Sequence, residues 1–132
     1  TLPFVGTAGW SSPADCRPGF PQGDSVLERY AGRLNAVEIN SSFYRPHRRS
    51  TYERWAAAVP DGFRFAVKAP KALTHETRLQ DCGAPLGRFA AEVAGLGPKL
   101  AVVLVQLPPS LRFEAQAAEG FFPALRRAVS AE

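Results

Sequence analysis

Short apolar runs alternate with longer amphipathic stretches along the chain, and each run ends in polar or aromatic residues. Phe4-Val5 reads as a first buried strand that stops in the small-residue turn Gly6-Thr7-Ala8-Gly9, and a Pro- and Gly-rich loop follows from Trp10 to Gly23. Ser25-Val26-Leu27-Glu28 has the capping-box pattern, which predicts a helix from Val26 to about Leu34 with Leu27, Tyr30, Ala31 and Leu34 on one face. Ala36 to Ile39 is a second strand, and Asn40 to His47 a loop. Ser50-Thr51-Tyr52-Glu53 repeats the capping pattern and predicts a helix through Trp55 to Val59, stopped by Pro60-Asp61-Gly62. Phe63 to Val67 forms a third strand leading into Lys68-Ala69-Pro70-Lys71 and Thr74-His75-Glu76. Pro85 suits a helix start, and Leu86, Phe89, Ala90, Val93 and Leu96 mark an amphipathic helix ended by Gly95 and Gly97. Leu100 to Leu107 is a fourth strand, whose unbroken run from Leu100 to Val105 is expected of a parallel strand covered on both faces. Glu114 to Ser130 closes the chain as a helix anchored by Phe121, Phe122 and Leu125.

A βα repeat of about thirty residues predicts a parallel α/β sheet with right-handed crossovers. A TIM-type (β/α)8 barrel needs eight such units and about 250 residues, so residues 1–132 read as a single domain that supplies its first four units, a half barrel. Left alone, the first and fourth strands would both be open edges, and a missing barrel half or self-association is the expected cover.

The chain has 132 residues, 45% of them hydrophobic, which is enough for one core and excludes disordered and collagen-like classes. Thirteen Arg and three Lys against twelve acidic residues leave a net charge of +4. Arg45, Arg48 and Arg49 cluster beside His47, and Arg suits planar anions such as phosphate or carboxylate. No apolar run approaches the roughly 20 residues of a membrane span, and no basic segment followed by an apolar one opens the chain. A soluble, unexported, cytoplasmic protein is expected. Cys16 and Cys82 form no CxxC pair and fit reduced thiols, with a single long-range disulfide as the alternative. The absence of Met, even at position 1, suggests that the natural start is missing or processed.

Five segments carry a resemblance. Gly6-Thr7-Ala8-Gly9-Trp10-Ser11, the run Val37-Glu38-Ile39-Asn40-Ser41-Ser42-Phe43-Tyr44-Arg45, Phe63 to Pro70, Thr74-His75-Glu76 through Leu79, and Gln106-Leu107-Pro108-Pro109-Ser110 together resemble the YecE-like family, domain of unknown function 72. They occur in the family's order. The resemblance implies the N-terminal half of a TIM-type barrel and leaves the reaction open, since the family has no established activity. Two departures stand out: Ser12 replaces a common Tyr, and a Pro usually follows one residue later than Pro46.

Barrel enzymes carry catalytic groups at the C-terminal ends of their strands. That rule selects Glu38, Lys68 and His75 as candidate catalytic residues, able to perform acid/base chemistry or hold an anion. An internal Glu38–Lys68 ion pair is the structural alternative. Trp10 and Tyr44 are candidates for stacking on a planar ligand, Arg45 for clamping a phosphate or carboxylate, and Asn40 and Gln106 for further ligand contacts. His75-Glu76-Thr77-Arg78-Leu79 lacks the second His of a zincin helix, no ligand pair has structural-zinc spacing, and no cofactor is specified. The leading expectation is an enzyme-like barrel mouth that binds a small polar or anionic ligand. The alternatives are a nucleic-acid-binding or processing protein that uses its basic, aromatic-lined mouth, and a non-catalytic fragment or assembly module.

Overall fold

Alternation of buried and half-buried positions along Ala36–Ile39 and Arg64–Lys68 splits each strand into two faces, because successive side chains of a strand point to opposite sides. The computed structural model describes residues 2–130; Thr1, Ala131 and Glu132, which the sequence assigns to the same domain, lie outside the described residues. Four parallel strands form one sheet in the order β1 (Gly6–Ala8), β2 (Ala36–Ile39), β3 (Arg64–Lys68) and β4 (Leu100–Leu104). Between and after them run α1 (Val26–Ala31), α2 (Ser41–Tyr44), α3 (Arg49–Ala57), α4 (Gly83–Val93) and α5 (Ala115–Val129).

In-register pairing aligns Val37 with Phe65 and Ile39 with Val67. These four residues face the helices and are buried with Leu27, Tyr52, Phe89, Val93 and Phe121 in one apolar cluster. The other face holds Ala8, Glu38 and Ala66 side by side, with Lys68 beside Leu104 one step further along. No helix among the described residues covers it: Val102 is 54% and Leu104 38% exposed. The sheet therefore has one dry face and one open face, and the polar candidates stand on the open one.

Tyr30 fastens β1 to the sheet. Its hydroxyl accepts from the Thr7 amide and donates to the Ala36 carbonyl, both at 2.8 Å. Gly6 is required beside it, because a Cβ there would lie 1.9 Å from the Ala36 oxygen. Tyr30→Phe removes the bridge and is expected to cost about 1–3 kcal/mol, read as a lower urea midpoint. An unchanged midpoint would show that β1 is held without it. At the opposite edge, Lys99 Nζ donates to the Ala56 and Val59 carbonyls at 2.6 and 2.8 Å, satisfying the frayed C-terminal end of α3.

Several expectations need correction. The first strand is Gly6–Ala8 instead of Phe4-Val5, which stay 58% and 55% exposed because nothing packs over them. The capping box at Ser25 forms, with the Glu28 amide donating to Ser25 Oγ at 3.1 Å. The second does not: α3 begins at Arg49, so Ser50 is already inside the helix, and Glu53 instead accepts from Arg49 Nε at 3.0 Å. The Trp10–Gly23 loop contains a 3-10 turn at Ala14–Gly19, and the Asn40–His47 loop contains the single turn α2. Strand β4 ends at Leu104 instead of Leu107, and it is covered on one face where the sequence predicts two. Phe122 is 44% exposed while Phe121 and Leu125 are buried, so two of the three expected anchors of α5 hold it down.

Candidate functional site

Beyond Ile39 the chain turns at Asn40 into α2, and Ser42 locks that turn in place. Its side chain is fully buried, with Oγ 3.0 Å from the Ile39 carbonyl and 2.6 Å from the Lys68 carbonyl, so one hydroxyl laces together the ends of β2 and β3. The next residue, Phe43, becomes the hub of the site. The Lys68 ammonium lies 4.4 Å from its ring centroid. The His75 ring meets it edge-on at 4.9 Å and 82°, and Tyr44 at 5.0 Å and 86°. Cation–π contact stabilises an ammonium without neutralising it. Among the described residues Lys68 has no carboxylate within ion-pair distance, so the expected alternative, a Glu38–Lys68 pair, does not form.

Glu38 stands on the same open face, one step before Lys68. Its neighbours across the strands are Ala8 and Ala66, whose side chains are small. A half-buried carboxylate and a half-buried ammonium therefore stand on one face of the sheet.

A second aromatic group lies beside the first. Gly9, at φ 77°, donates to the Glu38 carbonyl at 2.8 Å and turns Trp10 onto Trp55, with 5.1 Å between ring centroids. His47 packs between Tyr52 and Trp55 and shares a 2.8 Å hydrogen bond between Nε2 and Ser41 Oγ. Burial, and then the charge of Arg45, lowers the His47 pKa from its ordinary value. Trp10 is thus half-buried in packing, whereas Tyr44 is 63% exposed.

The remaining candidates are placed differently. Asn40 is half-buried at the start of α2 and makes no side-chain cap. Arg45 lines a cavity of about 200 Å³ that Phe43 and Tyr44 also border, together with Lys71, Arg88, Glu76 and Glu92. Gln106 is exposed, two residues past the end of β4. A larger cavity, about 680 Å³, lies elsewhere, as an open groove between β4 and α5 lined by Leu100, Val102, Phe122 and Val129. Among the described residues no group of three or more His, Cys, Asp or Glu could hold a metal ion.

His75 sits on a π-turn, Ala72–Glu76, closed by the Thr77 amide on the Ala72 carbonyl at 3.0 Å. Thr77 Oγ1 also donates within this turn, to the Ala72 carbonyl at 2.8 Å. Such turns concentrate at functional sites. Immediately after it, Arg78, Leu79 and Asp81 adopt left-handed backbone at φ 53°, 67° and 48°. Each costs a non-glycine residue on the order of 1–3 kcal/mol, and the surrounding packing must offset that cost. Arg78 contributes by donating through Nη2 to the Ser110 carbonyl at 3.2 Å, which joins the loops that follow β3 and β4. Phe43, Ser42 and Thr74 are the residues that sequence reasoning missed as site components; the only signal was their place in polar runs just past strands.

The architecture defines an α/β protein whose parallel strands deliver polar groups to a common end of the sheet. The chain belongs to the family described as protein of unknown function DUF72, whose model matches residues 4–131. It is 30% identical over 105 residues to UPF0759 protein YecE of Escherichia coli K12, covering 80% of this chain and 37% of that protein. Over 112 residues it is 30% identical to UPF0759 protein YunF of Bacillus subtilis 168, covering 80% of this chain and 40% of that one. The chain thus spans about two-fifths of the length of these curated relatives. A crystal structure of a DUF72 family protein from Enterococcus faecalis V583 superposes with a TM-score of 0.73 at 24% identity, covering 93% of this chain and 46% of that one. A second crystal structure of that protein gives 0.68 at 21%. No helix among the described residues is long and apolar enough to cross a membrane.

Proposed function

We propose that this chain contributes four βα units to a TIM-type (β/α)8 barrel, and that the open face of its sheet lines an enzyme-like mouth for a small polar or anionic ligand. The observation that carries the reading is the half-buried Lys68 ammonium at a strand end, resting on Phe43 at 4.4 Å with no carboxylate paired to it. A charge held out of bulk water without a counter-ion favours an incoming anion. Glu38, flanked by alanines on the same face, adds an acceptor for a hydroxyl or amine on the ligand. Tyr44 and His75 both pack edge-on against the same Phe43 ring. The groove along β4 and the open sheet face support a second barrel half, or a second copy, as the cover of the exposed edge. Free thiols at Cys16 and Cys82 support a reducing compartment, the cytoplasm.

Thermal-shift measurements of the full-length polypeptide against phosphorylated metabolites and sugars test the reading. Stabilisation is expected for at least one anionic compound, and Glu38→Gln or Lys68→Met is expected to reduce it. A panel with no response that depends on either residue would count against a ligand site here.

Nucleic-acid binding through Arg45, Arg48, Arg49 and Lys71 is the weaker reading. Arg49 donates to Glu53 at 3.0 Å, and the cavity shared by Arg45, Lys71 and Arg88 also contains Glu76 and Glu92, which offset most of its charge. Phosphate-driven binding is strongest at low salt. Filter binding is expected to retain neither DNA nor RNA there, and retention that collapses as salt rises would favour the nucleic-acid reading instead.

A further inference from the structure

We infer that Thr74 fixes His75 as a neutral hydrogen-bond donor, so that the Lys68 ammonium and the His75 Nε2–H form a two-donor receptor for an oxyanion, a phosphate or carboxylate group. The inference rests on the proposed mouth for its ligand, but the state of the imidazole stands without it.

Thr74 is fully buried, and its Oγ1 lies 2.8 Å from His75 Nδ1. Among the described residues the Thr74 hydroxyl makes no other hydrogen bond. A buried hydroxyl whose proton finds no acceptor is destabilising, so the proton points to Nδ1. A nitrogen that accepts a hydrogen bond carries no proton, which makes the ring neutral and places its single hydrogen on Nε2. Thr74 is therefore a positioning residue. With Nδ1 engaged and Nε2 protonated, His75 is set to donate to a ligand and has no lone pair left to act as a base.

Two further features hold this arrangement. The imidazole meets Phe43 edge-on at 4.9 Å, and the same ring carries Lys68 at 4.4 Å, so both donors are referenced to one rigid aromatic group. The backbone under His75 is a π-turn followed by three left-handed non-glycine residues, a conformation that local propensity alone would not select. Two donors, one of them charged, match an oxyanion and mismatch a cation or an apolar group.

Ring-nitrogen NMR of the full-length protein, recorded above the ordinary histidine titration range and assigned with His75→Gln, tests both parts. A single Nε2–H tautomer is expected for His75. Added inorganic phosphate or acetate is expected to move its Nε2 signal, the stronger of the two identifying the oxyanion. Thr74→Ser keeps a hydroxyl and is expected to preserve tautomer and affinity, whereas Thr74→Val is expected to give mixed tautomers and about five-fold weaker phosphate binding. A proton on Nδ1 in the wild-type spectrum overturns the inference, and it needs no variant to fold. So does a Thr74→Val protein with unchanged tautomer and affinity. An Nε2–H tautomer that neither anion perturbs overturns the oxyanion assignment and the ligand-binding mouth, while leaving the role of Thr74 intact.

Discussion

Phe65→Ala is expected to lower the stability of the protein by about 3–5 kcal/mol, the cost of deleting a fully buried aromatic ring whose site cannot collapse. Phe65 is 0% exposed in β3, paired to Val37 on one side and to Leu100 on the other, with its ring 5.1 Å from Phe63. Strands flank it on both sides, so the backbone has little freedom to close the void. A domain has about 5–15 kcal/mol of total stability, and a sheet with one uncovered face has less apolar burial to spare. Urea unfolding monitored by circular dichroism measures the loss. A change below about 1 kcal/mol would mean that the helix-facing layer is not the main core. Phe65 also lies three residues before Lys68, so partial loss of β3 is expected to loosen the site along with the fold.

For Lys68→Met the expected loss is in binding, with the fold retained. A charge-assisted hydrogen bond contributes about 1.5–3 kcal/mol, so affinity for the anionic compound that best stabilises the wild type is expected to fall roughly 10- to 100-fold. Met keeps an unbranched stem of similar length, and its sulfur packs well on an aromatic ring, which preserves the contact with Phe43. Calorimetric titration of the folded variant separates the two effects. Wild-type affinity with Met at position 68 would sink the assignment of the ammonium as an anion receptor. Lys68→Arg is a useful companion: its planar fork stacks on Phe43 differently, so it is expected to restore affinity only in part.

The predicted strands, the order of the elements and the polar character of the strand ends follow from local chemistry, and the structure agrees with them wherever a local rule suffices. Ser25 caps α1 because its hydroxyl needs only the amide three residues on. Ser50 fails in the same pattern because helix α3 starts two residues earlier and Arg49 claims Glu53, a competition the four-residue pattern does not contain. The apolar run of β4 records that the strand belongs in a parallel sheet, yet its coverage depends on what lies opposite, so Val102 and Leu104 are exposed despite an unbroken apolar sequence.

Candidate site residues divide along the same line. Glu38 and Lys68 were legible as strand-end charges, and the period-two alternation of β2 and β3 places both on one face. The role of Phe43 was not legible, since residues 43, 68 and 75 meet only after β2 pairs with β3 and Ser42 bonds the carbonyl of Lys68. The left-handed residues Arg78, Leu79 and Asp81 carry no glycine to announce them. By itself, then, the sequence determined a βα alternation, a parallel sheet and the ends of the strands where chemistry gathers, because these depend on neighbours a few residues away. Only the tertiary structure decided which face stays open and which ring collects the lysine and the histidine, because those depend on contacts between segments tens of residues apart.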